Sequence, residues 1–161
     1  MSAEQFVANF IDFWDRPSVD RIPEILHPDV VLTQPLSPPM HGIAAAQREF
    51  AQIWRFLPDL RAHVDRWRGD DDVVFIEFRL LAHVGRHRIE WPNVDRMILR
   101  DGKAIQRMNY FDPLPVLPIV LKHPSLWRRW WVSGAARPWR TGHRIDDYRT
   151  ITGGGPATVL D

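Results

Sequence analysis

Two stretches of the chain carry apolar residues at the spacing of an amphipathic helix. The first lies in residues 2–15, where Ser2 can serve as the N-cap. The second runs from Gly42 to Leu57 and ends before Pro58. Each predicted helix has one apolar face to bury. The two faces consist of Phe6, Phe10, Phe13 and Trp14 in the first helix, and of Ile43, Ala46, Phe50, Ile53, Trp54 and Leu57 in the second.

Between these helices the pattern predicts a short helix over 19–26 and a strand that begins at Val30. The Pro-rich run 35–42 is expected to end that strand, because proline cannot donate a ladder hydrogen bond. From residue 60 onward, apolar and polar residues alternate as they do in strands with one buried face. Turn signals at 69–72, 85–86 and 101–102 divide this region into four antiparallel strands.

Helices grouped ahead of antiparallel strands are typical of the α+β class. The predicted sheet has one apolar face, and the two long helices are what can cover it. We therefore expect a cone, in which a curved antiparallel sheet wraps around the N-terminal helices and leaves a blind cavity at its open end.

The hairpin between the last two strands decides which side chains reach this cavity. A two-residue turn at Asp101-Gly102 would place Asp95 opposite Met108. A three-residue loop, with Gly102 in the left-handed region, would place Asp95 opposite Arg107. A shift by one residue turns every side chain to the other face of the sheet. Only the three-residue loop is therefore expected to bring Asp95 and Arg107 together.

Composition and charge divide the chain near residue 112. The 161 residues include 45% hydrophobic and 25% charged residues, and no Cys, which excludes disulfides and thiolate chemistry. Residues 1–112 carry 14 Lys/Arg and 17 Asp/Glu, whereas residues 113–161 carry 7 and 3. This change predicts one domain over 1–112 and a basic, Pro- and Trp-rich extension over 113–161 with a disordered end. With no apolar run near ~20 residues and no signal peptide, we expect a cytoplasmic protein.

Three segments carry a family resemblance: DRPSVDRIPEILHPDVV, PPMHG and VDRMILRDGKAIQRMNYFD. Together they resemble the nuclear transport factor 2-like superfamily, and within it the SnoaL-like polyketide cyclases and the related ketosteroid isomerases. The resemblance covers about residues 4–115. It implies the conical (cystatin-like) roll, a homodimer and a pocket for a hydrophobic small molecule. It also favours the three-residue loop.

The resemblance carries over to single positions. Asp95 matches the aspartate that donates to the oxyanion in ketosteroid isomerases. Gln34 stands where those enzymes have the general-base aspartate, and Phe10 where they have the oxyanion tyrosine. SnoaL-type cyclases place an acid/base aspartate at the position of Asn109 and a histidine at that of Asp95. In this chain the carboxylate therefore lies on the strand before the last one, not on the last strand as in the cyclases. The resemblance thus implies a related site with different chemistry.

Asp95 is the candidate catalytic group. A guanidinium as close as that of Arg107 would lower the pKa of Asp95, so that its carboxylate could act as a general base or anchor a substrate hydroxyl. Arg107 would orient Asp95 or bind a carbonyl, and Asn109 would hydrogen-bond the ligand. The alternative is a structural ion pair with a satisfied amide. The expected ligand-binding residues are Phe10, Trp14, Gln34, Trp54, Phe78, Met97 and Phe111.

These features favour an enzyme without cofactor or metal, of isomerase, lyase or cyclase type, acting on a hydrophobic cyclic or polyketide-like substrate. A non-catalytic binding module for an apolar metabolite and an interaction protein that uses the extension remain alternatives. Residues 113–133 can pack on the body or on a partner subunit, or lie on a membrane surface. The acidic body disfavours nucleic acid. The membrane contacts would be Trp127, Trp130 and Trp131, with Lys122, Arg128 and Arg129 near anionic head groups.

Overall fold

A computed structural model of the chain describes residues 2–35, 37–84, 86–114 and 117–134. The helices are α1 (Ala3–Asp15), α2 (Ile22–Ile25), α3 (Ile43–Phe56), α4 (Leu117–Lys122) and α5 (Pro124–Ser133), with a 3₁₀ turn over Val19–Arg21. The strands are β1 (Leu26–Gln34), β2 (Ser37–His41), β3 (Arg61–Gly69), β4 (Val73–Val84), β5 (His87–Arg100) and β6 (Lys103–Tyr110). The turn residue Gly85 and the predicted disordered end of the chain lie outside the described residues.

Both long helices predicted from the apolar stripes are present. The hydroxyl of Ser2 accepts a hydrogen bond from the backbone N–H of Gln5 and so caps α1. Helix α3 begins after Gly42, whose φ of 79° lies in the left-handed region that favours glycine. The apolar faces pack on the inner face of the sheet and form the main core with it. In α1 the four residues of the stripe, Phe6, Phe10, Phe13 and Trp14, are at most 3% exposed.

The sheet has six strands in the order β2-β1-β6-β5-β4-β3, and β1 runs parallel to β6. Strand β1 ends at Gln34, before the Pro-rich run, as predicted, but the run adds a strand that was not predicted. It forms β2, which pairs antiparallel with β1 at the sheet edge, with Leu32 opposite Met40. An edge strand bonds on one side only, so it tolerates proline. The α+β cone is confirmed, with one more strand than the sequence predicted.

The β5–β6 hairpin places Asp95 and Arg107 on the same face of the sheet, as expected, but it does so without the expected loop. Asp101 and Gly102 have φ of 52° and 73°, and Arg100 pairs with Lys103, so the loop has two residues. The predicted three-residue loop is wrong. However, Ile98 pairs with Gln106 while Leu99 pairs with Ala104, which leaves Ile105 as an extra residue, a β-bulge. This bulge shifts the register by one residue.

The shifted register brings the polar residues of both strands to the inner face. Asp95 lies opposite Asn109, and Met97 lies opposite Arg107. Arg107 is therefore the diagonal rather than the direct neighbour of Asp95. At the bulge, Ala104 is fully buried in the core, whereas Ile105 is half-buried.

Helices α4 and α5, which we call the cap, cover one end of this core. Leu126 of α5 is 4% exposed and packs in a second apolar cluster with the C-terminal end of α3 and the facing ends of β4 and β5. Trp130 packs against the same cluster. No described helix is long and apolar enough to cross a membrane. The buried members of the cluster are Phe56, Leu57, Leu60, Ala82, Val84, Ile89, Trp91 and Leu126.

Candidate functional site

Three polar side chains meet on the inner face of the sheet, where the surroundings are apolar. Asp95 is 0% exposed, and Arg107 and Asn109 are each 7% exposed. Arg107 Nε donates to Asp95 Oδ2 at 2.7 Å, and Asn109 Nδ2 donates to Asp95 Oδ1 at 2.7 Å. Each carboxylate oxygen thus accepts one strong, buried hydrogen bond. The candidate catalytic residues form one connected cluster.

Burial raises the pKa of Asp95 above its ordinary value. The charge of Arg107 and the hydrogen bonds from Arg107 and Asn109 oppose this rise but do not cancel it. The expected lowering of the Asp95 pKa is therefore wrong, because the loss of water around a fully buried carboxylate outweighs its partners. A carboxylate with a raised pKa is a stronger base than a solvated one, which suits proton abstraction.

Arg107 uses only part of its hydrogen-bonding capacity. Its Nε is bonded to Asp95, whereas Nη1 and Nη2 have no hydrogen-bond partner among the described residues. The guanidinium carbon lies 5.6 Å from the centre of the Phe50 ring, a cation–π contact that holds the group in place. Two donor groups thus remain available for an electronegative atom of a ligand.

The space beside Arg107 is small. A cavity of about 10 Å³ lies there, which is no more than the room for one water molecule. The open cavity predicted for the cone is filled by aromatic side chains in this structure. The residues that line the remaining space are Phe10, Trp14, Ile25, Leu26, Phe50, Met97 and Arg107.

The predicted ligand-binding residues fall into three groups. Phe10, Trp14 and Met97 line the cavity itself. Phe78 and Trp54 lie one layer away: the Phe78 ring is 5.9 Å from that of Phe10, and the Trp54 ring is 6.4 Å from that of Trp14. The remaining two lie elsewhere. Phe111 packs in the second cluster near the cap, and Gln34 bonds to Glu49.

Several polar side-chain atoms are buried without a partner in the described part of the chain. They include the indole N–H groups of Trp14 and Trp54, the hydroxyl of Thr33 and Oδ1 of Asn93. An unsatisfied buried donor costs about 1–3 kcal/mol, so such atoms are few in a core built only for stability. Trp14 lines the cavity, so its indole N–H is a buried donor available to a polar group of a ligand.

Glu49 is a second carboxyl that the sequence reasoning missed. Its Oε1 accepts hydrogen bonds from Gln34 Nε2 and Ser37 Oγ, each at 2.9 Å. Burial raises the pKa of Glu49, and these two bonds oppose the rise. The pairing of Thr33 with Met108 places Gln34 next to Asn109 in the adjacent strand. The signal was present in α3, where Glu49 interrupts the apolar stripe.

Charged residues on the outer face of the sheet and His83 do not join this site. Glu77 pairs with Arg66, and Arg79 pairs with Asp65 and Glu90, all on the outer face of the sheet. His83 bonds to Asp59 at 2.7 Å. Within the described residues, no group of three His, Asp or Glu side chains is arranged to hold a metal ion.

Helices packed inside a curved, mostly antiparallel sheet are the fold of the SnoaL-like class of proteins. The sequence profile of the SnoaL-like domain matches residues 7–107, more than half of the chain. The chain belongs to the SnoaL-like domain family. This match includes Asp95 and Arg107 and stops before Asn109.

Solved structures agree with this assignment. A protein assigned as a SnoaL-like polyketide cyclase from Jannaschia sp. CCS1 is similar with a TM-score of 0.61 and 20% identity, over 71% of this chain and 90% of that chain. An LEH-like epoxide hydrolase from M. tuberculosis is similar with a TM-score of 0.60 and 16% identity, over 74% of this chain and 89% of that chain. At these identities the likeness concerns the fold.

A further similarity concerns part of the chain. Small ribosomal subunit protein bS16 of Thermus thermophilus is 31% identical over 75 residues, which is 44% of this chain and 82% of that protein. The family profile covers a larger share of the chain, and it agrees with the helices, the sheet and the solved structures described above.

Proposed function

We propose that the chain is a cofactor-free enzyme of isomerase, lyase or cyclase type, in which Asp95 removes a proton from the carbon next to a carbonyl group. The observation that carries this proposal is the fully buried carboxylate of Asp95, held between Arg107 and Asn109 with the Nη groups of Arg107 left free. Burying an ion pair costs several kcal/mol per ion and adds little stability compared with apolar packing. Such a cluster is therefore expected where it serves chemistry.

The proposed step needs only groups that are present. The Asp95 carboxylate takes the proton, the electrons of the C–H bond move to the carbonyl oxygen, and an enolate forms. The Nη groups of Arg107 and the indole N–H of Trp14 are donors that could stabilise this oxygen. Return of the proton to another carbon gives an isomer, and loss of a leaving group gives an elimination product. No electron is gained or lost overall.

The surroundings of the cluster favour a hydrophobic cyclic substrate. Aromatic rings of Phe10, Trp14 and Phe50 line the cavity, and such rings are typical of small-molecule sites. The similarity to proteins named as a polyketide cyclase and an epoxide hydrolase supports a small-molecule enzyme without fixing its substrate.

Access to Asp95 requires part of the structure to move, because the cavity is closed. The cap is the best candidate for this movement. Trp54 belongs to the packing of both apolar clusters, so it connects the cap residues Leu126 and Trp130 with Trp14 at the cavity. We propose that displacement of the cap lets Trp54 turn and opens a path to Asp95.

Exchange of α-protons tests the proposal without knowledge of the natural substrate. Cyclic ketones such as 2-tetralone are incubated with the protein in D₂O, and loss of their α-proton signals is followed by NMR. Wild type is expected to accelerate exchange, and Asp95→Asn is expected to lose about 10²-fold or more of this acceleration. Asp65→Asn, at an ion pair on the outer face, is the matched control.

A second variant covers the case in which Asp95→Asn does not fold. Trp14→Phe keeps an aromatic ring and removes the unpartnered indole N–H together with part of the ring volume. We expect slower exchange with a fold like that of wild type by circular dichroism. If wild type accelerates none of the ketones but binds them, the non-catalytic binding module is the correct function.

A further inference from the structure

The outer face of helix α5 combines exposed aromatic residues with positive charge. Leu126 and Trp130 lie one turn apart and pack on the body. At about 100° per residue, Trp127, Trp131 and Val132 lie on the sides of the helix turned away from these two residues. Trp127, Trp131 and Val132 are 48%, 64% and 71% exposed. Large apolar side chains with this exposure indicate an interaction surface.

Three arginines lie beside these apolar residues. Arg55 of α3 and Arg128 and Arg129 of α5 line a surface depression of about 410 Å³, together with Val132 and Ser133. None of the three arginines forms an ion pair with a carboxylate among the described residues. Some arginines elsewhere on the surface do pair with carboxylates. Examples are Arg66 with Glu77, and Arg79 with Asp65 and Glu90.

The cap holds this surface together as one unit. Trp127 Nε1 donates to the backbone carbonyl of Val120 in α4 at 2.7 Å, which ties α5 to α4. Leu121, 59% exposed, and the exposed Lys122 extend the apolar and basic character onto α4. We call the set of exposed residues on α4, α5 and Arg55 the basic aromatic face.

We infer that the basic aromatic face docks on the surface of an anionic lipid bilayer. Unpaired arginines complement anionic phosphate head groups, and exposed Trp side chains favour the boundary between head groups and acyl chains. The remaining chain, residues 135–161, carries four Lys/Arg and three Asp/Glu, so its charge does not complement the face. RNA fits less well, because it offers no apolar layer for Val132 and Leu121. This inference does not depend on the proposed enzymatic activity.

Vesicle sedimentation of the full chain tests the inference. The probes are vesicles of phosphatidylcholine alone and of phosphatidylcholine mixed with phosphatidylglycerol. We expect the chain to sediment only with the anionic vesicles, and to be released at ~1 M salt, where the Debye length is about 3 Å. The double variant Arg128→Gln/Arg129→Gln is expected to bind about 30-fold more weakly, which corresponds to about 2 kcal/mol at about 1.4 kcal/mol per tenfold change.

The controls distinguish binding through the basic aromatic face from nonspecific attraction between a positively charged protein and anionic vesicles. Arg68→Gln/Arg100→Gln removes the same charge from exposed positions at the end of the sheet far from the cap, and should leave vesicle binding unchanged. Trp131→Ala/Val132→Ala should weaken binding at unchanged net charge. Because all these side chains are exposed, the variants are expected to fold.

Several results would overturn the inference. These are failure of wild type to sediment with anionic vesicles, and equal loss of binding in the Arg68/Arg100 control. A third is binding of a labelled RNA, but of no vesicle, through Arg128 and Arg129. A fourth is an oligomer, detected by light scattering without vesicles, that Arg128→Gln/Arg129→Gln dissociates, because the face would then bind a second copy of the chain.

Discussion

Removal of Arg107 alone should destabilise the fold more than removal of both partners of the Asp95–Arg107 pair. Asp95 is 0% exposed, and the Arg107 side chain is 8% exposed, so the charge left behind by a single substitution cannot be hydrated. Breaking a buried pair in this way costs about 3–5 kcal/mol. We expect a loss of this size for Arg107→Met, measured as the free energy of unfolding at neutral pH. Asp95→Asn should cost less, because the raised pKa of Asp95 means that a neutral group at this position suits the fold better than the carboxylate does.

The double variant Asp95→Asn/Arg107→Met should recover much of this loss. It leaves no buried charge, and methionine fills part of the space of the arginine stem. Its cost should fall short of the sum of the single costs by about 3 kcal/mol, a coupling at the upper end for residues in direct contact. Urea unfolding followed by circular dichroism measures the free energy of unfolding of wild type, the two single variants and the double variant.

The free energy of unfolding should also depend on pH, in a direction that the raised pKa of Asp95 determines. Because the pKa of Asp95 is raised in the folded state, its contribution to stability is fully present below the ordinary aspartate pKa and is lost as the pH rises through the raised value. Arg107→Met removes the positive charge that opposes this rise, so the pKa of Asp95 should rise further. The stability difference between Arg107→Met and wild type should therefore grow from acid to neutral pH.

The outer pair of Arg79 and Asp65 is the matched control, since both side chains are partly exposed to water. Asp65→Asn should cost no more than about 1 kcal/mol. Additive costs for Asp95→Asn and Arg107→Met, within about 0.5 kcal/mol, would refute the reasoning, because they would mean that the two groups are not energetically coupled.

Three further predictions concern other parts of the molecule. Glu49→Gln should raise stability at neutral pH relative to acid, because the raised pKa of Glu49 means that its ionised form weakens the fold; parallel unfolding curves at both pH values would contradict this. Leu126→Ala should cost about 2–5 kcal/mol in the packing of the cap and speed hydrogen exchange in α5, and unchanged exchange there would show that Leu126 does not hold the cap. Gly102→Ala should destabilise the hairpin by about 1 kcal/mol or more, because φ is 73°, and an unchanged melting temperature would contradict this account of the turn.

The helices and most strands follow from the sequence because each has one apolar face. In helix α1 the apolar residues recur every three or four positions, and in strand β4 they recur every second position. Each of these spacings fits only one type of element. Strand β2 was missed since proline is a poor strand former in general, and only its place at the sheet edge makes Pro38 and Pro39 acceptable.

The grouping of Asp95, Arg107 and Asn109 was predicted correctly, but for the wrong reason. They share a face only if the pairing register of the two strands is shifted by an odd number of residues relative to a plain two-residue turn. The bulge at Ile105 supplies the shift that the predicted loop was meant to supply. The position of a bulge depends on pairing with the neighbouring strands, so the local sequence does not reveal it.

The electrostatics and the volume of the site could not be predicted from the sequence. The direction of the Asp95 pKa depends on complete burial, which results from packing on all sides. The closed interior likewise depends on how the rings of Trp14, Phe50 and Trp54 fit together. Composition shows that aromatic residues are available, but not whether they line a cavity or fill it.

The most direct test of the central claim is the pH dependence of α-proton exchange of 2-tetralone, measured by NMR for wild type and Asp95→Asn. If Asp95 is the base, exchange by wild type rises with pH through a group whose pKa lies above that of an ordinary aspartate. This rise should be absent in Asp95→Asn, and the rate should be lower by about 10²–10⁴-fold. A folded Asp95→Asn protein that keeps both the rate and the pH profile of wild type would contradict the account.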